Sequence, residues 1–182
     1  MNYISIYTVN LVAVYVIVII YYTISMINNT TPYKAPDFIN LDADGERHSL
    51  ADYKGKWLVL YFYPKDGTPG CTTEACSLRD ARDEITALGA DVVGVSRDSA
   101  DSHDKFKSKY NLNFTLLIDP DHKTTEAYGA WGKNLFGLMG VIRKTFIINP
   151  DGQVVKVYDH VTPDGHGEQV VADLKMLQSK NN

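Results

Sequence analysis

Trp57-Leu58-Val59-Leu60-Tyr61-Phe62-Tyr63 is followed by Pro64-Lys65-Asp66-Gly67-Thr68-Pro69-Gly70 and then by Cys71-Thr72-Thr73-Glu74-Ala75-Cys76. The first seven residues form an unbroken apolar run, the pattern of a strand buried on both faces. The Pro- and Gly-rich segment reads as a loop. From Cys71 to about Leu88 one face stays apolar at helical spacing through Ala75, Leu78, Ile85 and Leu88. A buried strand feeding a helix through a short loop is the seed of an α/β layered domain.

The flanking sequence repeats this alternation. Asp37–Leu41 and Glu46–Leu50 flank Asp42-Ala43-Asp44-Gly45, a hairpin signal. Asp91–Val95 and Phe114–Ile118 read as strands, Asp101–Tyr110 and Asp121–Tyr128 as helices. Lys144–Ile148 and Gln153–Tyr158 form a second hairpin around Asn149-Pro150-Asp151-Gly152. Gly167–Gln178 closes the chain as an amphipathic helix, with Val170, Val171, Leu174 and Leu177 inward. The late hairpin makes the expected sheet a central mixed one flanked by helices.

The 182 residues suffice for one domain with a real core. Two cysteines cannot staple a disulfide scaffold, nor make a Cys-only zinc site. The five histidines are scattered, so no metal is expected. A net charge of −4 disfavours nucleic acid as a partner. The 18 basic and 22 acidic residues all lie at Lys34 or beyond, so residues 1–27 form an uncharged hydrophobic segment. Its stretch 3–27 is long enough for a bilayer span, with Tyr3, Tyr7, Tyr21 and Tyr22 toward the ends. A cleaved signal fits less well, because no basic residue precedes the run and no A-x-A-like site follows. Met26 offers a compact second start, so the segment reads either as a membrane anchor or as an untranslated leader. Residues 28–35 are then a linker and 36–182 the folded domain. For an anchor, Lys34 on its C-terminal side points to a cytoplasmic domain, and an untranslated leader leaves the domain in the cytoplasm as well.

Cys71 stands where a buried strand has ended and a helix begins. The carboxyl ends of strands in open α/β sheets are where ligands bind. A helix N-terminus offers free N–H groups and the positive end of the dipole, both of which favour thiolate. Lowering a thiol pKa from ~8.5 to about 6 needs roughly 3.4 kcal/mol. The dipole supplies ~0.3–1 kcal/mol, up to ~2 when buried. A cation must therefore help, and Arg143, Arg79, Lys65 and Lys144 are the candidates. Cys76 lies five residues on, ~140° around the helix and ~7.5 Å along it. A disulfide wants Cα atoms within ~6.8 Å and converging side chains. If Cys71 and Cys76 bond, the first turns must unwind. The plainer readings stand beside these: free Cys as a small buried hydrophobe, Thr68 as a turn hydroxyl or cap, Pro64 as a strand end, Arg143 as a solvated residue. Glu74, an acid in the first helical turn, complements the dipole.

The sequence resembles the peroxiredoxins, most closely their bacterioferritin-comigratory-protein/PrxQ branch. The P-x-x-x-T-x-x-C motif stands as Pro64, Thr68 and Cys71, and the branch's second cysteine as Cys76. The block Tyr61-Phe62-Tyr63-Pro64 through Leu78-Arg79-Asp80 matches, as do Tyr128-Gly129-Ala130-Trp131-Gly132-Lys133 and Arg143-Lys144-Thr145-Phe146-Ile147. The resemblance implies a thioredoxin-like fold and a thiol peroxidase with no cofactor. Cys71 would attack a peroxide and become a sulfenic acid, with Arg143 as the cation and Thr68 aligning the attack. Pro64 would shield Cys71, and Cys76 would condense with the sulfenic acid. Thioredoxin or a similar dithiol reductant would reopen the disulfide in a monomeric enzyme. Two other readings compete. A thiol–disulfide oxidoreductase usually carries C-x-x-C, which is absent. A non-enzymatic redox sensor, or a membrane-tethered thiol switch, would use the same two cysteines without turnover.

Overall fold

The computed structural model describes residues 31–133 and 137–179. The chain divides into two compact units, Met1–Tyr33 and Lys34–Asn182. The uncharged segment and the first residues of the linker lie outside the described residues. Among the described residues, no helix is long and apolar enough to cross a membrane.

In chain order the elements are β1 (Tyr33–Lys34), β2 (Ile39–Asp42), β3 (Arg47–Ser49), a 3-10 turn (Leu50–Tyr53), β4 (Trp57–Phe62), α1 (Pro69–Asp80), α2 (Arg82–Ala87), β5 (Ala90–Ser96), α3 (Ala100–Tyr110), β6 (Thr115–Ile118), α4 (Lys123–Ala127), β7 (Trp131–Lys133), β8 (Met139–Val141), β9 (Lys144–Ile148), β10 (Gln153–Tyr158) and α5 (His166–Ser179). The main sheet runs β1-β10-β9-β4-β5-β6-β2-β3. Strands β4, β5 and β6 are parallel neighbours, while β9 pairs antiparallel with β4. The mixed sheet anticipated from the late hairpin is present, and β9–β10 has the expected bounds.

All six residues of β4 are buried, because both faces carry cover. Val59 and Tyr61 meet Ala75 and Leu78 of α1 and Val170 and Leu174 of α5 in one apolar cluster. On the opposite face Phe62 packs against Tyr128 and Phe146, with ring centroids 5.3 and 5.7 Å away. Each fully buried aliphatic side chain here contributes about 1.5–3 kcal/mol.

Two expectations are corrected. The helix foreseen from Cys71 to Leu88 begins earlier, at Pro69, because extended Thr68 is an N-cap and proline suits the first helical position. It also breaks at Ala81, whose φ of −84° and ψ of −3° end α1 and start α2. At this break α5 comes closest: a Cβ on Gly167 would collide with the Ser77 carbonyl and lie 2.8 Å from the Ala81 Cβ. The Gly167 N–H donates to Ser77 Oγ at 2.8 Å, so this approach is fastened as well as close. The small β7–β8 hairpin, which the sequence reading did not include, leads the chain into Arg143.

Gly167 is the second residue of α5, and alanine is ordinarily the better helix former. Here Gly167→Ala should instead destabilise by about 1–3 kcal/mol, since α5 must move off Ser77. Urea unfolding checks this, and a stabilised variant would contradict the packing described.

Candidate active site

The site is assembled at the end of β4. Pro64 follows the strand and is exposed, and the loop continues to the cap at Thr68. Helix α1 is under way by Thr72, whose N–H donates to the Thr68 carbonyl at 2.9 Å. Cys71 is the third helical residue and only 1% exposed. The N–H groups of Gly70 and Cys71 have no helical carbonyl one turn back to receive them. They leave the positive end of the helix beside the sulfur.

Arg143 reaches this point through strand register. Lys144 pairs with Phe62, so the residue before Lys144 falls next to the end of β4. The Arg143 guanidinium donates from Nη2 to Cys71 Sγ at 3.2 Å. Gly70 gives it room, since a Cβ there would stand 3.3 Å from Nη2. From Nη1 the same group donates to Glu74 Oε2. Glu74 is 0% exposed and its second oxygen, Oε1, has no hydrogen-bond partner within the described protein.

Glu74 is a correction to the sequence reading. It lies in the second turn of α1 and holds the guanidinium that touches Cys71, rather than dressing the dipole. A signal for it existed. Cys71, Glu74, Ala75 and Leu78 are the buried face of α1 at i, i+3, i+4 and i+7. Burial pushes the Glu74 carboxyl up to about 7, against the pull of Arg143.

The other candidates are placed differently. Thr68 Oγ1 donates to the Lys65 carbonyl at 3.0 Å, so its proton is engaged within the loop. Neither cysteine is in a disulfide; Cys71 is buried and Cys76 half-buried, with four residues of intact helix between them. Of the four cations considered, Arg143 alone is shown donating to Cys71 Sγ. Arg79 lies beside Cys76 and donates to the Tyr110 carbonyl at 2.6 Å. Lys144 pairs with Asp159 at 2.7 Å, and Lys65 is exposed.

Comparison with known proteins places the chain in a family. The AhpC/TSA family profile matches residues 32–157. The chain belongs to the peroxiredoxins. It is 47% identical over 150 residues to the peroxiredoxin Bcp of Bacillus subtilis, covering 81% of this chain and 96% of that one. The Escherichia coli peroxiredoxin Bcp is 42% identical over 144 residues, covering 78% and 92%. Among solved structures, the Xanthomonas campestris bacterioferritin comigratory protein superposes with a TM-score of 0.72 at 38% identity, covering 76% of this chain and 90% of that one. The fold is accordingly thioredoxin-like, and the peroxiredoxin is a thiol peroxidase of the Bcp/PrxQ kind. A switch without turnover is not favoured by this membership.

Two buried groups set opposing pH slopes. Glu74 has a native pKa raised from 4.5 to about 7, so between those values the native state holds a proton that the unfolded chain has lost. Its contribution to stability therefore falls as pH rises through that window, by at most about 1.4 kcal/mol per pH unit. Burial pushes His166 down from 6.5 to about 4, so its contribution rises over that range. Glu74→Gln should remove the falling limb. Unfolding midpoints should then climb from pH 4 to 6.5 more steeply than in the wild type. Parallel profiles for the two proteins would refute the Glu74 assignment.

Proposed function

We propose that Cys71 is the peroxidatic residue, Cys76 the resolving residue, and that the peroxiredoxin reduces hydrogen peroxide and organic hydroperoxides to water and alcohols. The carrying observation is the Arg143 guanidinium 3.2 Å from a buried cysteine sulfur at the N-terminus of α1. The Xanthomonas campestris relative has alkyl peroxide reduction activity, which supports organic substrates here.

The Cys71 thiolate attacks the terminal peroxide oxygen. A sulfur–oxygen bond forms, the O–O bond breaks, and the leaving alkoxide or hydroxide takes a proton. Arg143 meets the charge that shifts from sulfur to oxygen, and the free N–H groups at the start of α1 add to it. Glu74 keeps the guanidinium from swinging into solvent. Thr68 lines the approach once its hydroxyl turns from the Lys65 carbonyl, and Pro64 bounds the loop around Cys71. Next, the Cys76 thiol displaces water from the Cys71 sulfenic acid and forms the disulfide. The α1 turns between them must open for this, since intact helix holds the side chains apart. Thioredoxin or a similar dithiol attacks the disulfide and restores both thiols, becoming oxidised itself. No metal or cofactor enters the cycle.

We take 36–182 as a monomeric catalytic domain in a reducing compartment, the cytoplasm, where both thiols stay free. The membrane-anchor reading of residues 3–27 rests on their sequence.

Arg143→Ala should slow the peroxide reaction about 10²–10³-fold, the usual cost of one preorganised donor. Stopped-flow oxidation measures it, and an unchanged rate would sink the proposed role of Arg143. Cys71→Ser should consume no peroxide. Cys76→Ser should consume one equivalent and then stall until a small thiol is added. Sustained thioredoxin-driven turnover by Cys76→Ser would remove the resolving assignment.

A further inference from the structure

The loop that carries Thr68 to the site is anchored by a side chain that the chemistry above does not use. The Asp66 carboxylate is only 5% exposed. Its Oδ1 accepts from the Tyr63 hydroxyl at 2.7 Å. Its Oδ2 accepts from Ser102 Oγ at 2.8 Å and pairs with His103 Nδ1 at 2.9 Å. The Asp66 backbone N–H donates to Asp98 Oδ2 at 2.9 Å, an oxygen that also accepts from Ser96 Oγ at 2.8 Å. One loop residue is therefore tied to the end of β4, to the start of α3 and to the turn after β5.

The histidine in this network is fully buried. Its Nε2 faces the Leu117 carbonyl at 3.3 Å while Nδ1 faces the carboxylate. Both ring nitrogens thus face oxygen atoms. A buried carboxylate whose partners are removed is left unsatisfied, so the contact is costly to break. The three donors hold the Asp66 carboxyl below the usual carboxylate range despite its burial.

The position of this anchor matters more than its strength. Gly67 follows with φ of +68°, and Thr68 comes next as the cap of α1. The Thr68 hydroxyl rests on the carbonyl of Lys65, the residue before Asp66. Any shift of the Asp66 peptide therefore moves Thr68 and the free N–H groups that face Cys71.

We propose that Asp66 is a positioning residue for peroxide reduction: through Tyr63, Ser102 and His103 it fixes the Pro64–Gly70 loop so that Thr68 and the N-terminus of α1 are aimed at a peroxide on Cys71. This rests on the peroxidatic reading of Cys71. A displacement of about 1 Å in such a frame can cost up to ~10²-fold in rate.

The test separates the two half-reactions. Sulfenic acid formation is followed with hydrogen peroxide in the Cys76→Ser background by trapping with dimedone. Disulfide formation is followed in the two-cysteine protein by intact mass. Asp66→Asn keeps the size of the side chain but leaves a single acceptor oxygen for three donors. It should slow sulfenic acid formation about tenfold while leaving the condensation rate unchanged. Ser102→Ala removes one donor with little risk to folding and should slow the same step about two- to fivefold. Oxidation at the wild-type rate in both variants overturns the proposal. So does parallel slowing of both half-reactions together with a lowered Tm, since that marks a structural role only. Peroxide consumption by Cys71→Ser would instead overturn the reading on which the proposal rests.

Discussion

One guanidinium joins the two parts of the molecule that the chemistry must bring together. Arg143 arrives on β9 and grips α1 at two points, the Cys71 sulfur and the Glu74 carboxylate. Neither grip exists without the antiparallel register of β9 on β4, which sets Lys144 opposite Phe62. The buried strand, the glycine beside the guanidinium and the aromatic rings under Phe62 all serve to place one charge to within hydrogen-bond distance of one sulfur. The helix dipole supplies at most about 2 kcal/mol of the roughly 3.4 kcal/mol that lowering a thiol pKa from ~8.5 to about 6 requires. The cation is thus a requirement of the energetics, and the fold is arranged to supply it.

In the proposed cycle the same helix has to open, and its fastenings are unequal along its length. The C-terminal half is held from outside. Ser77 Oγ receives the Gly167 N–H and donates to Glu168 at 3.2 Å, and Arg79 bonds the Tyr110 carbonyl at 2.6 Å. The half that contains Cys71 and Glu74 has Arg143 as its shared polar tether, with Thr73 bonding only back to Pro69 within the helix. Unwinding of the first two turns can therefore proceed without dislodging α5. Cys76 sits just before the fastened part, so in the proposed cycle Cys71 is the cysteine that moves.

Much of this is legible in the sequence, and the illegible part has physical causes. Strand β4 declares itself because seven consecutive apolar residues suit only an element covered on both faces. The hairpin from Lys144 to Tyr158 is written in Asn149-Pro150-Asp151-Gly152. The place of Cys71 after that strand marks it as a site candidate, and the resemblance supplies the role expected of it and names Arg143. Strand pairing, however, is a long-range fact, so composition and spacing could not say which of four cations meets the sulfur. A helix start at Cys71 puts Glu74 in the first turn, where an acid complements the dipole. The cap at Thr68 puts it in the second turn, and its spacing from Cys71 and Leu78 places it on the buried face. Asp66 is harder still. Its partners Ser102 and His103 come from α3, more than thirty residues away, and no local pattern announces them.

Glu74 also explains why such a helix can be stable enough to react and loose enough to open. A carboxyl group with no exposure, one unpartnered oxygen and a pKa raised to about 7 is not a strong source of stability near neutral pH. Burial opposes its ionised form, and the guanidinium offsets only part of that cost. In the cycle proposed above, Arg143 holds α1 through two acceptors, the Cys71 sulfur and the Glu74 carboxyl. An oxygen added to that sulfur spreads its electron density and weakens one of the two attractions. Glu74 is then left to hold the first turns of α1 through a contact whose desolvation cost is still in place. Opening the helix would return that carboxyl to water and free Cys71 to reach Cys76. Condensation needs the sulfenic acid in any case, and the buried pair adds to this a helix that loosens once the sulfenic acid has formed.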